Sequence, residues 1–298
     1  MADLLHRRPD GPRRLRELLA ESEGPVLAPG AYDALSALLV EQAGFPAVYM
    51  TGFGVTASLL GRPDIGLLTM SEMVDTARRI VSAVGVPVIA DADDGYGNAL
   101  NVIRTVHEYE AAGVAGIHLE DQVAPKRCGH MEGKQVVPVE TMVGKIEAAV
   151  QARSDPDFVI IARTDARAVE GLEAALDRGR RYREAGADLL FIEAPQSEGE
   201  IEAASLALSD VPLLFNWAEG GKTPPIGLER LTALGYRLVI FPLSNLLAAT
   251  RAVTGVLDDI RRVGTPEEAV QGLPGLQDFF GTVGLPDALA LGKQFDGS

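Results

Sequence analysis

Residues 87–121, PVIADADDGYGNALNVIRTVHEYEAAGVAGIHLED, contain the whole repeat from which the chain is built. An apolar run at 87–92 gives way to acids at Asp91, Asp93 and Asp94, and a stretch with apolar residues at Ala99, Val102, Ile103 and Val106 follows. Gly113 stops that stretch, and a second apolar run at 116–120 ends in Glu120 and Asp121. Spacing by three and four marks a helix with one buried stripe. Glycine supplies the left-handed residue that closes such a helix. Apolar runs without polar alternation mark strands covered on both faces, as in a parallel sheet. The unit is strand, helix, strand.

The same unit recurs in both directions. Further strand candidates lie at 25–28, 47–51, 158–163, 189–193, 212–216 and 238–242, making eight in all. A second helical stripe runs through Leu172, Ala175, Leu176, Gly179 and Tyr182, and Gly44, Gly186 and Gly235 repeat the placement of Gly113. Eight alternations favour a (β/α)8 TIM-type barrel over an open doubly wound sheet. The 298 residues suit one such barrel, which typically takes about 250. The expected division is 1–264 for the barrel, led by an N-terminal helix, and 265–298 for a helical tail broken by Gly272, Pro274, Gly281, Gly284 and Pro286. With no strand to pair, such a tail packs across its own barrel or over a neighbouring subunit.

Composition narrows the function. The 27 Lys plus Arg against 42 Asp plus Glu leave a charge of −15, which argues against a nucleic-acid partner. With 47 % hydrophobic residues the chain can bury a large core, so global disorder is excluded. A single cysteine, Cys128, allows no intrachain disulfide and no Cys-based zinc site, and four His without ligand spacing disfavour a zinc hydrolase. No apolar run approaches the ~18 residues of a membrane span. A cytoplasmic protein with no membrane partner is expected. Arg7, Arg8, Arg13, Arg14 and Arg16 are interrupted by Asp3, Asp10, Glu17, Glu21 and Glu23, so the start reads as a solvated amphipathic helix rather than a transit peptide.

In a barrel of this kind the chemistry collects where the strands end. Those ends carry Tyr49, Thr51 and Gly52; Asp91, Asp93 and Asp94; His118, Glu120 and Asp121; Arg163, Thr164 and Asp165; Glu193; Asn216 and Glu219; and Pro242 and Ser244. Carboxylates gathered this way repel one another unless protonated or held by a cation, so Asp91, Asp93, Glu120 and Glu193 suggest a hard divalent metal, with Mg²⁺ the natural candidate. Because Mg²⁺ keeps several waters, one direct carboxylate suffices, with others acting through water.

The loop after the fourth strand carries Lys126-Arg127-Cys128-Gly129-His130 and runs on to Gly133-Lys134. The basic neighbours lower the thiol pKa and equip it for proton transfer or nucleophilic attack. Gly129 and Gly133 permit hinge motion, so the segment suits a lid. Gly52-Phe53-Gly54-Val55-Thr56-Ala57 matches a dinucleotide-binding pattern, but Gly61 and Pro63 follow soon and no acid ends a second strand at the required distance. Trp217 reads as core or pocket wall.

Together these segments resemble the isocitrate lyase and phosphoenolpyruvate mutase superfamily over nearly the whole chain. The resemblance rests on Thr51-Gly52, Pro63-Asp64, Asp91-Ala92-Asp93-Asp94-Gly95-Tyr96-Gly97-Asn98, His118-Leu119-Glu120-Asp121-Gln122 and Lys126-Arg127-Cys128-Gly129-His130, and continues through Ala162-Arg163-Thr164-Asp165-Ala166 and Glu219-Gly220-Gly221-Lys222-Thr223-Pro224. It implies a Mg²⁺-dependent (or Mn²⁺-dependent) barrel acting on small carboxylates, usually a homotetramer whose C-terminal helices swap between neighbours. It further implies that Asp91 binds the metal, with Asp93 and Glu120 joining through water and Asp64 and Glu193 completing the outer shell. Thr51, Gly52 and Arg163 would hold the substrate carboxylate, beside Gly129, while Asn216 and Ser244 line the far end. Cys128 would be the acid and Tyr49 the base, with Lys126, His130 and Arg163 as further catalytic residues.

The superfamily holds two chemistries. The Cys-Gly-His loop suits a carbon–carbon lyase, which needs a donor to protonate the departing carbanion. The sequence Gly129-His130-Met131-Glu132-Gly133-Lys134 also resembles the carboxyphosphonoenolpyruvate mutase branch. A lyase cleaving 2-methylisocitrate or 2,3-dimethylmalate is the leading expectation; a phosphorus–carbon mutase and an oxaloacetate decarboxylase or hydrolase are the alternatives. Ala218 stands where many lyases carry a hydroxyl residue, which points to a smaller substituted malate. A repurposed, non-catalytic barrel would show gaps among these positions, and none is found.

Overall fold

The computed structural model describes residues 5, 10–129, 131–266 and 269–295. Eight strands, all parallel and paired in chain order, close into a barrel. They are β1 (Val26–Ala31), β2 (Val48–Met50), β3 (Val88–Asp91), β4 (Gly116–Glu120), β5 (Val159–Thr164), β6 (Leu189–Ile192), β7 (Leu213–Asn216) and β8 (Tyr236–Phe241). The helices are α1 (Gly11–Glu21), α2 (Ala34–Gln42), α3 (Gly52–Leu60), α4 (Met70–Ala83), α5 (Ala99–Ala112), α6 (Val139–Ala152) and α7 (Ala166–Val169). They continue with α8 (Leu172–Glu184), α9 (Glu198–Ala207), α10 (Leu228–Ala233), α11 (Ser244–Val263), α12 (Leu276–Thr282) and α13 (Leu285–Phe295).

All eight expected strands form, and the four glycines read as helix stops have φ of +87° (Gly44), +87° (Gly113), +102° (Gly186) and +77° (Gly235). Each occupies the left-handed region open to glycine. Most other strand bounds move by one or two residues, and the largest shift is at the end of the first strand. The first strand, expected to stop at Ala28, runs on through Pro29 and Gly30 to Ala31. Pro29 pairs with Phe241, and a side chain on Gly30 would meet the Pro242 and Phe241 carbonyl oxygens at 2.7 and 2.8 Å. Glycine there lets β1 press against the end of β8 and close the cylinder.

Two apolar cores result. One lies between the outward strand faces and the helices; the other fills the cylinder with inward residues such as Ile89, Val159, Ile161, Leu214 and Leu238. The N-terminal helix forms, but it is not merely solvated. Leu15 and Leu19 of α1 join the inner core and plug the N-terminal end of the barrel. Arg16 donates to Asp188 Oδ1 at 2.9 Å and Arg237 to the Leu19 carbonyl at 2.8 Å, fastening the plug to the starts of β6 and β8. At the other extreme, α12 and α13 have no buried residue among those described. Leu276, Phe279, Leu289 and Phe295 are exposed, and between α2 and α11 an apolar cavity of ≈ 700 Å³ is lined by Leu27, Tyr32, Leu39, Phe45 and Phe241.

Candidate active site

Side chains that point inward at the C-terminal ends of the strands meet in one cavity. Tyr49, Thr51, Asp64, Asp91, Lys126, Cys128, Gly129, Arg163, Glu193 and Asn216, all expected on the site, line it together with Phe53, Phe191, Ala218 and Pro242. Sheet register explains the company. Asp91 sits beside His118 across β3 and β4, and Glu120 beside Arg163 across β4 and β5. The backbone is also distorted here: Asp93, Tyr96 and Ala194, all just past strand ends, have positive φ of 46°, 59° and 54°. Strained non-glycine residues gather where function over-determines geometry.

Asp91 is held from three sides. It accepts from the N–H of Gly52 (3.2 Å) and of Asp93 (3.0 Å), and His118 Nε2 stands 3.4 Å away. A side chain on Gly52 would collide with the Asp91 carboxylate, so glycine is required for this approach. Burial works against ionisation of Asp91, but His118, Lys126 and the Asp93 N–H outweigh it and keep its carboxyl below the usual range. Asp93 behaves oppositely. Burial, together with Asp91 and Asp64, overcomes the Lys126 ammonium and raises it to about 7. Glu120, buried and faced by Arg163 at 3.4 Å, is pushed well above its ordinary value by burial, and its Oε1 has no hydrogen-bond partner among the described residues.

The chain's own cations divide these carboxylates. Lys126 Nζ lies 2.6 Å from Asp64 and 2.8 Å from Asp93, and burial fails to lower its pKa because four carboxylates raise it. Arg163 forms a two-point pair with Asp165 (2.9 and 3.1 Å), approaches Glu193 at 3.9 Å and lies 5.1 Å over the Phe191 ring. Asn216 Nδ2 donates to Glu193 at 3.3 Å.

The expected gathering of carboxylates is therefore looser than the sequence suggested. Among the described residues no three His, Cys, Asp or Glu side chains stand close enough to chelate one ion. What remains is a set of buried oxygen donors near Asp91, with Asp93 and Glu120 raised chiefly by burial and a bare buried oxygen on Glu120. Oxygen donors of this kind suit a hard divalent cation.

One expected position falls elsewhere. Ser244 begins α11, and its hydroxyl is taken up by the Glu219 carboxylate rather than facing the cavity. His130 lies outside the described residues. One residue named at a strand end without a role belongs here: His118, fully buried, shares a 2.7 Å hydrogen bond with Tyr49 Oη and stacks on the Tyr49 ring. Its signal in the sequence is a titratable ring inside an otherwise apolar strand. Burial lowers the His118 pKa, and burial and Asp91 push that of Tyr49 well above 10, so the phenol keeps its proton.

The loop after β4 covers this cavity. Gln122 grips the Arg127 backbone twice, accepting from its N–H at 2.9 Å and donating to its carbonyl at 2.7 Å. Cys128, half-buried, stands on the cavity wall.

Known proteins resemble this chain in sequence and fold. Residues 15–261 match the family model of phosphoenolpyruvate phosphomutase. The chain is 50 % identical over 272 residues to the 2,3-dimethylmalate lyase of Eubacterium barkeri, covering 91 % of this chain and 93 % of that one. It is 46 % identical over 271 residues to the chloroplastic carboxyvinyl-carboxyphosphonate phosphorylmutase of Arabidopsis thaliana, covering 90 % and 80 %. Among solved structures, oxaloacetate acetylhydrolase bound to 3,3-difluorooxalacetate superposes with a TM-score of 0.92 at 39 % identity, covering 98 % and 99 %. A family match across most of the length, together with half the residues shared with a lyase, shows that the chain belongs to the phosphoenolpyruvate mutase/isocitrate lyase superfamily and is an enzyme of its carbon–carbon lyase kind.

Proposed function

We propose that the enzyme is a Mg²⁺-dependent lyase that cleaves an alkyl-substituted malate of the 2,3-dimethylmalate class into a keto acid and a second carboxylate. The observation that carries this reading is the thiol of Cys128 on the same cavity wall as Arg163, Tyr49 and Asp91. Arg163 binds the carboxylate next to the reacting hydroxyl, with Thr51 and the Gly52 N–H beside it. The bond between C2 and C3 breaks, its electron pair passes to C3 and into the adjoining carboxylate, and Cys128 delivers its proton to C3. For 2,3-dimethylmalate the products are pyruvate and propionate. A dication held by Asp91 with Asp93 and Glu120 would supply positive charge to offset the negative charge that develops. Tyr49 would take the hydroxyl proton only where added positive charge offsets burial and Asp91, which otherwise keep the phenol protonated.

Ala218 and Phe53 on the wall favour a methyl-bearing substrate over one with a third carboxylate, which would need another polar partner. The exposed apolar faces of α12 and α13 and the groove beside α2 support a homotetramer in which residues 265–298 cross to a neighbour. The deciding experiment is a product assay with Mg²⁺ over 2,3-dimethylmalate, 2-methylisocitrate, isocitrate, oxaloacetate and phosphonopyruvate, repeated in chelator. Dimethylmalate turnover that chelator abolishes and Mg²⁺ or Mn²⁺ restores is expected. Turnover of phosphonopyruvate or oxaloacetate alone would replace the lyase with the mutase or hydrolase reading.

A further inference from the structure

Lys134 lies at the far end of the loop that carries Cys128. Its side chain is 1 % exposed, and its ammonium donates to Asp165 Oδ1 at 2.6 Å and also to the Gly129 carbonyl. Asp165 is the same carboxylate that pairs with Arg163 through both oxygens. A loop residue thus reaches under the cavity and joins, in one unbroken chain of charge-assisted bonds, the backbone next to the thiol and the guanidinium of the site. Gly129 completes the contact from above: a side chain there would overlap both Glu193 Oε1 and Arg163 Nη2.

We propose that Lys134 is a positioning residue that sets the reach of Cys128 by tying the Gly129 carbonyl to the Asp165–Arg163 pair. Burial of an ammonium is tolerated only against fixed acceptors, and these two are its acceptors. Asp165 is fixed in turn, because its N–H donates to Asp121 Oδ1 at 2.9 Å and Thr164 and Tyr182 both donate to Asp121 Oδ2 at 2.7 Å. Movement of the loop requires Lys134 to leave Asp165, and each such departure carries Cys128 away from the cavity.

The kinetic part of the test rests on the lyase reading; the chemical part does not. Cys128 is the chain's sole cysteine, so alkylation by iodoacetamide reports one site. In Lys134→Met, which keeps the stem and removes the ammonium with both of its hydrogen bonds, alkylation should quicken by about tenfold or more. The kcat for 2,3-dimethylmalate should fall ~100-fold with KM held, as expected when a reacting group is misplaced by about an ångström. Gly129→Ala, which leaves every charge in place but obstructs the seated loop, should show the same pair of changes, and it carries the test if Lys134→Met fails to fold. Alkylation of either folded variant at the wild-type rate would overturn the proposal, as would an unchanged kcat. Should the wild-type enzyme turn over no substrate of the panel, the lyase reading falls and the alkylation contrast still decides the role of Lys134.

Discussion

The two ends of the barrel are built from the same strands and face opposite problems. At the N-terminal end, Leu15 and Leu19 of α1 fill the cylinder, and arginines tie the plug to backbone carbonyls and Asp188. At the C-terminal end the buried groups are charged and in mutual tension: Asp93 is raised to about 7, while Asp165, a few strands round, is held at about 2. Burial opposes ionisation at both carboxyls. Asp165 has the Arg163 guanidinium and the Lys134 ammonium to outweigh it, whereas Asp93 shares Lys126 with Asp64 and faces Asp91. One end is optimised for staying folded; the other keeps charges where reaction needs them.

The sharpest way to probe that contrast is at the mouth. Cys128→Ser should lower kcat about a thousandfold, within the range for removing a general acid, while leaving KM and the melting temperature near their wild-type values. Steady-state kinetics and a thermal melt on the same sample check both halves. A fall in stability comparable to the fall in rate would erase the distinction between the two ends.

Most of this division is legible in the sequence because it is local. Apolar runs such as 116–120 fix strands, Gly113 and its three counterparts fix the turns, and acids at strand ends mark the mouth without any knowledge of contacts. What stays hidden depends on partners far apart in the chain. Lys126 standing between Asp64 and Asp93, Lys134 on Asp165, and Tyr49 on His118 are pairings across 31 to 69 residues that neither spacing nor composition encodes. Ser244 misled because it follows β8 directly, yet the first turn of α11 aims its hydroxyl at Glu219. The helix at the start looked solvated because its arginines dominate the composition, although two leucines one turn apart decide where it packs.

At the opposite end the expected effects are on folding. Leu15→Ala should destabilise the protein by about 3 kcal/mol, the usual cost of emptying a fully buried leucine site, with kcat unchanged. Denaturant unfolding and initial rates test this; a rate loss would mean that the plug communicates with the site.

The smallest expected effect returns to the mouth and carries a sign. The Asp165 carboxyl falls from an ordinary 3.8 to about 2 on folding, so its contribution is fully present above pH 4 and is lost as pH drops through 4 toward 2. Asp165→Asn should therefore cost about 2 kcal/mol at pH 6, and its deficit relative to wild type should shrink by pH 3. Paired urea titrations at those two pH values read the difference, and a deficit independent of pH would show that the carboxylate's charge is not what matters.

Phe191, in β6, meets the Arg163 guanidinium with its face and the His118 ring at its edge, centroids 5.8 Å apart. A single aromatic side chain thus braces the guanidinium proposed to grip the acid end of a substrate and the ring that steadies the phenol. Trimming it to widen the floor for a bulkier molecule would slacken both at once. Enlarging the chamber and keeping its hold on small acids are, in this scaffold, opposing aims.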